Sequence, residues 1–149
     1  MSVRRFQARD LAEFEAVAAT FARELGAGDV IALEGGLGSG KTAFVAATAR
    51  ALGNDAAVTS PTFTFWHRYG GSPALEHLDL YRIEDPAEAT ELGLEEAFGA
   101  ERIVFIEWPD QLPGFVPPGA HRVRISGSGD EPREISIEAK ASAGSGGSV

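Results

Sequence analysis

Eight consecutive residues constrain this chain more than anything else in it. Gly35-Gly36-Leu37-Gly38-Ser39-Gly40-Lys41-Thr42 fits the pattern G-x-x-x-x-G-K-[ST]. The pattern carries weight only in one context, between a buried strand and a helix, and the flanks supply both. Val30-Ile31-Ala32-Leu33 is a short continuous apolar run, as in a strand covered on both faces. Thr42 to Leu52 is Ala-rich, offers Phe44, Val45, Thr48 and Leu52 to one face, and ends at Gly53. Glycines let such a loop curl until successive N–H groups point at one anion, and the following helix adds its N-terminal dipole. Gly35, Gly38, Ser39, Gly40, Lys41, Thr42 and Ala43 are therefore the candidate phosphate-holding residues. Lys41 is expected to reach the β- and γ-phosphates of ATP, and the Thr42 hydroxyl to ligate Mg2+.

The charge pattern points the same way. Of 13 basic residues 11 are arginine, and the two lysines are Lys41 and Lys140. A chain that otherwise uses arginine places a compact ammonium in the loop. The net charge is −9, and it has an address: Glu76 to Asp110 holds eleven acids against Arg82 and Arg102, and the rest of the chain sums to zero. That balance excludes a stand-alone nucleic-acid binder, whose phosphate contacts need a basic face. No apolar run reaches the roughly 18 residues of a membrane span. Met1-Ser2-Val3-Arg4-Arg5 does not open an export signal, so a cytoplasmic location is expected; the lack of cysteine excludes disulfides and thiolate sites and suits the cytosol without requiring it.

Length and order suggest one domain over residues 1–140, followed by a Gly/Ser-rich tail, 141–149, expected to be disordered. Val3 to Gln7 reads as an edge strand. Asp10 and Glu13 form a capping-box-like pair ahead of Leu11, Phe14, Val17, Ala18, Phe21 and Leu25 at helical spacing, with Gly26 as the stop. Val58 to Tyr69 reads as extended, turning at Gly70-Gly71-Ser72-Pro73 into a hairpin partner over Leu75 to Leu80. Asp85-Pro86 opens an acidic helical stretch carrying Ala87, Leu92, Leu94 and Phe98. Ile103-Val104-Phe105-Ile106 is the second buried-strand run, and Arg122 to Ser126 and Glu134 to Glu138 are further strands around a Gly-Ser-Gly-Asp turn. The predicted class is α/β, a partly parallel sheet flanked by helices with an added antiparallel portion.

A phosphate loop needs an acidic partner to complete the metal shell. Glu107, directly after its apolar run, fits best, and Asp79 is the competitor; one could act on the metal and the other orient the attacking water. Thr59-Ser60-Pro61-Thr62 is either a loop sensing the γ-phosphate or a turn with solvated hydroxyls. His77 shares the Asp79 face and reads as a structural imidazole, Trp108 is either core or a shield over the site, and Arg82 either serves a transition state or bridges acids in its own segment.

Taken in order, Gly38 to Thr42, Ser60-Pro61-Thr62-Phe63, His77-Leu78-Asp79-Leu80-Tyr81-Arg82, Glu91-Leu92-Gly93-Leu94 and Glu107-Trp108-Pro109 resemble the TsaE (YjeE) family over roughly residues 10 to 126. The resemblance implies a P-loop NTPase-like three-layer domain. It implies an ATP hydrolase of low intrinsic activity, required for the threonylcarbamoyladenosine modification beside the tRNA anticodon. It also implies dependence on the TsaD and TsaB proteins, with tRNA reached only through them. By position, Thr42 and Glu107 become the Mg2+ ligands, Thr62 part of the switch-like segment, and Asp79 and Trp108 further active-site residues. The chain departs from the family pattern at Gly36, often Asp, and at Ser39, usually Ala.

Two other readings compete. A small-molecule kinase would use the same loop but generally needs an arginine-rich lid, and Arg68, Arg82 and Arg102 are scattered. A nucleotide-gated binding module with negligible turnover merges with the first reading if catalysis depends on partners. A GTPase is disfavoured because no Asn-Lys-x-Asp segment occurs.

Overall fold

The computed structural model describes residues 3–139, so the tail expected at 141–149 lies outside the described residues. Seven strands form one sheet: β1 (Val3–Ala8), β2 (Val30–Gly35), β3 (Trp66–Tyr69), β4 (Ala74–Asp79), β5 (Arg102–Glu107), β6 (His121–Ser126) and β7 (Arg133–Glu138). Their order is β1-β7-β6-β2-β5-β4-β3. The four central strands, β6-β2-β5-β4, are parallel, and antiparallel pairs close both sides: β3 on β4, β7 on β6, and β1 on β7. The expected antiparallel portion is thus split between the two edges.

Alternation along the strands sorts the core into two layers. Ile31, Leu33, Leu75, Ile103, Phe105, Val123, Ile125, Ile135 and Ile137 face helices α1 (Leu11–Ala22) and α2 (Lys41–Ala51). Val30, Ala32, Leu78, Val104 and Ile106 face the opposite layer, made of α3 (Pro86–Glu91) and 3-10 turns at Leu94–Ala97, Pro109–Gln111 and Pro113–Phe115. Phe44 sits between Phe14 and Phe21, ring centroids 5.8 and 6.0 Å apart, and welds α1 to α2. Each fully buried phenylalanine contributes roughly 1.5–3 kcal/mol. Among the described residues no helix is long and apolar enough to cross a membrane.

Four sequence expectations need correction. Leu11 does not join the apolar face of α1; it is 63% exposed, because Asp10 caps the helix there and Phe14 starts the buried stripe. Helix α1 ends at Ala22, not Leu25, although Leu25 still packs on the core. The acidic stretch is not one helix: α3 stops at Glu91 and Gly93, at φ 69°, turns the chain into the 3-10 turn.

The largest departure is Val58 to Tyr69. Strand β3 begins only at Trp66, and Pro61 to Phe65 is a turn closed by Thr64 N–H and Phe65 N–H on the Pro61 carbonyl. The alternation Thr62-Phe63-Thr64-Phe65 imitates a strand. Pro61 fixes its own φ, Phe65 adopts φ 67°, and Phe63 is left 82% exposed.

Candidate functional site

Parallel strands deliver their C-terminal ends to one edge of the sheet, where ligands of open α/β sheets bind. Here β2 runs into the glycine loop, which feeds α2 at Lys41. Gly38 at φ 76° and Gly40 at φ 110° supply left-handed turns that other residues rarely adopt. Gly35 is required for a different reason: a Cβ there would lie 2.5 Å from Ser39 Oγ and 2.6 Å from the Ile125 carbonyl.

The amides of Gly40, Lys41, Thr42 and Ala43 donate to no protein acceptor among the described residues. They form the open N-terminal turn of an eleven-residue helix. Lys41 Nζ donates to the carbonyls of Gly35 (2.8 Å) and Gly36 (3.0 Å) and sits 4.1 Å from the Trp108 ring centroid. Burial lowers the Lys41 pKa, against the charges of Glu107 and Asp79, which favour the ammonium. Free amides, a buried ammonium and a helix N-terminus form a donor set that fits the phosphates of a nucleotide.

The two acids stand at the ends of neighbouring strands, Asp79 opposite Glu107 in the β4–β5 register. Glu107 Oε2 accepts from Thr42 Oγ1 (2.8 Å) and from His77 Nε2 (2.7 Å). Its Oε1 accepts from none of the described residues. A threonine hydroxyl beside a carboxylate with one uncommitted oxygen is the hard-oxygen donor set that suits Mg2+. Among the described residues no cluster of three His, Asp or Glu forms a closed metal cage, and magnesium sites completed by phosphates do not need one.

Asp79 Oδ1 accepts from the Tyr81 N–H (2.8 Å) and Oδ2 from Thr62 Oγ1 (2.8 Å). Ser60 Oγ lies 2.7 Å from the same threonine oxygen and donates to it, since the Thr62 proton is committed to Asp79. Burial pushes the Asp79 carboxyl above the usual range, opposed by the bonds from Tyr81 and Thr62; the negative charge of Glu107 adds to the rise and His77 counters it. Of the two readings of the Thr59–Thr62 segment, the solvated-hydroxyl one does not describe Thr62, whose hydroxyl is held.

All the candidate residues therefore converge on one edge, with one internal exception. The Ser39 hydroxyl is buried without a hydrogen-bond partner, and the Ser39 N–H closes the loop onto the Gly36 carbonyl (3.2 Å). Both its side chain and its amide are turned to the loop itself. Arg82 bridges no acid among the described residues: it donates to the carbonyls of Thr62 (3.4 Å) and Phe63 (3.3 Å) and lies over the rings of Phe63 and Phe65. His77 is buried and its Nε2 lies 2.7 Å from Glu107 Oε2, a contact that the strand period it shares with Asp79 does not announce.

Sequence reasoning missed two residues. The Tyr81 ring packs on Trp108 with centroids 4.8 Å apart and planes inclined by 45°, and Trp108 itself sits at φ 60°, with its ring against the Lys41 ammonium. Arg133, ninety-four residues from Ser39, donates to the Ser39 carbonyl (2.8 Å), and no local signal marks it. Beside the loop a cleft of about 660 Å3 opens between Gly35–Leu37, Trp108–Asp110 and Ile125–Ser128. That volume falls in the range of nucleoside-sized sites.

Residues 8–135 match the family model of the threonylcarbamoyl adenosine biosynthesis protein TsaE. A Bacillus subtilis protein described as tRNA threonylcarbamoyladenosine biosynthesis protein TsaE is 39% identical over 128 residues, 85% of this chain and 80% of its own. A Treponema pallidum protein of the same description is 33% identical, covering 77% of this chain and 85% of its own. The crystal structure of Bacillus subtilis YdiB superposes with a TM-score of 0.75 at 31% identity, over 94% of this chain and 87% of that one.

Proposed function

The chain belongs to the TsaE family, and from that premise and the site geometry we propose that it is an ATP hydrolase serving the threonylcarbamoyladenosine modification of tRNA. The relatives are named for that biosynthesis. The observation that carries the nucleotide reading is the open first turn of α2, whose amides face no protein acceptor among the described residues while the Lys41 ammonium is held on the loop carbonyls.

Lys41, Gly38 and the amides of Gly40 to Ala43 hold the phosphates; the cleft beside Trp108 takes the nucleoside end. Thr42 and Glu107 would hold Mg2+, which when bound neutralises charge developing on the transferred phosphoryl group. Asp79 accepts a proton from, or orients, the attacking water. Its raised pKa brings it closer to neutral pH, where a general base works best. Thr62 fixes the Asp79 carboxylate, and Ser60 fixes Thr62. Trp108, paired with Tyr81, shields Lys41 from water.

An acidic chain of this kind works through partners that hold the tRNA, for which TsaD and TsaB are the proposed candidates, in the cytoplasm. The kinase reading gains nothing, since Arg68 and Arg102 pair with Glu76 and Arg82 holds loop carbonyls. The deciding experiment is complementation of a strain lacking its native TsaE. The chain should restore the modified nucleoside, and Lys41→Ala should not restore it or bind ATP in calorimetry. Failure of the unaltered chain to restore the nucleoside overturns the pathway assignment.

A further inference from the structure

The Ser39–Gly40 peptide runs into Gly40 at φ 110°, and Gly38 at φ 76° precedes Ser39. Glycine tolerates both signs of φ, so this peptide can flip at little steric cost, and something else must fix its direction. Arg133, the first residue of β7, is placed to do so. Its Nε donates to the Ser39 carbonyl at 2.8 Å and its Nη2 to the Gly38 carbonyl at 3.4 Å. The same guanidinium donates to the carbonyls of Gly129 and Glu131 in the β6–β7 turn. Arg4, Arg9, Arg122 and Arg124 pair with carboxylates, whereas Arg133 has no carboxylate partner within ion-pair distance among the described residues. Its donors are spent on main-chain carbonyls.

In a trans peptide the C=O and the next N–H point in opposite directions. Holding the Ser39 carbonyl toward β7 therefore turns the Gly40 N–H away from it. That amide has no protein acceptor among the described residues, and it opens the turn that carries Lys41 and Thr42. The Gly38 carbonyl, held the same way, leaves the Ser39 N–H to close on the Gly36 carbonyl. We propose that Arg133 is a positioning residue of the phosphate loop, fixing the Ser39–Gly40 peptide so that the Gly40 N–H is presented to a phosphate oxygen. This rests on the nucleotide reading above and adds to it the residue that holds the loop in its phosphate-facing conformation. The contact also ties the loop to the turn bearing Ser128 and Glu131, which wall the adjacent cleft.

The test compares the unaltered chain with Arg133→Met, which keeps the stem without donors, and Arg133→Lys, which keeps one donor group. Calorimetry with MgATP and with inorganic tripolyphosphate measures affinity, and the Gly40 amide signal in the 15N-labelled, nucleotide-free protein reports the peptide directly. The Met variant should bind both ligands about tenfold more weakly, the loss of one charge-assisted hydrogen bond. Its Gly40 signal should move, and Lys should recover part of both effects. Unchanged affinities with an unchanged Gly40 signal overturn the proposal. So does a loss confined to ATP, which places Arg133 on the nucleoside side, or a loss that follows falling thermal stability with no recovery by Lys. If the unaltered chain binds neither ligand, the nucleotide reading fails by itself, and the Gly40 signal alone decides whether Arg133 sets the peptide.

Discussion

Asp79 and Glu107 face each other across adjacent parallel strands at the same register, and each holds the hydroxyl of a different threonine. Thr42 comes from the first turn of α2, and Thr62 from the loop before β3. One pair of strand-end carboxylates thus anchors both segments that would surround a γ-phosphate. The arrangement divides the two acids by neighbour: Glu107 toward the Thr42 hydroxyl proposed to bind the metal, Asp79 toward Thr62 in the loop before β3.

That division predicts different losses. Glu107→Gln removes a hard anionic oxygen from the proposed Mg2+ shell while leaving the loop amides intact. Mg2+-dependent hydrolysis should fall by about 10²- to 10³-fold, the range for losing one preorganised electrostatic group, with ATP affinity changed far less. Turnover with manganese titrated against magnesium, together with calorimetric affinity, checks it. If Glu107→Gln hydrolyses normally and Asp79→Asn does not, the metal role passes to Asp79.

Thr62 offers a cleaner test of the loop. Thr62→Val keeps the shape of the side chain and removes the donor to Asp79 and the acceptor for Ser60. Because the phosphate loop and Lys41 are untouched, ATP binding should be retained and turnover should fall. Steady-state and equilibrium measurements on the same preparation separate the two. Weaker ATP binding with turnover at saturation unchanged would show that the loop contributes to ground-state binding and not to the chemical step.

Asp79 also makes a stability prediction with a definite sign. Its folded-state pKa is raised by burial above the ordinary aspartate value of about 3.9. The folded chain then binds more protons than the unfolded one between those values, so this group's contribution is complete at acid pH and is lost as pH rises through the folded pKa. Asp79→Asn removes the dependence. Thermal melts of both proteins should show the variant gaining relative stability as pH climbs from about 4 toward neutrality. A variant that loses relative stability over that interval contradicts the direction.

How far the sequence could be read depended on how far each interaction reaches along the chain. Strand β2, the glycine loop and α2 were legible because strand, turn and helix signals are local and adjacent. So was β5 with Glu107 at its end. The Pro61–Phe65 turn was not, since its alternation carries the period of a strand while a proline and a hydrogen bond to Asp79, seventeen residues on, dictate the backbone. Tyr81 was overlooked because its partner Trp108 is brought near only by the β4–β5 pairing. Arg133 reaches the loop only because β7 pairs with β6, which lies beside β2. No residue near Arg133 in sequence announces that.

Ser39 supplies the last prediction. Its hydroxyl is buried, lacks a partner, and fills the space a Cβ on Gly35 would need. A buried hydroxyl without a hydrogen bond costs about 1–3 kcal/mol of desolvation, so Ser39→Ala should leave the fold more stable by about 1 kcal/mol. Gly35→Ala should destabilise, and combining it with Ser39→Ala should not restore stability. The added methyl would still lie 2.6 Å from the Ile125 carbonyl, a main-chain atom of β6 that cannot move without disturbing the sheet. Denaturant melts of the two single variants and the double variant decide this. Full recovery in the double variant would mean that Ser39, not the β6 backbone, is what requires glycine at position 35.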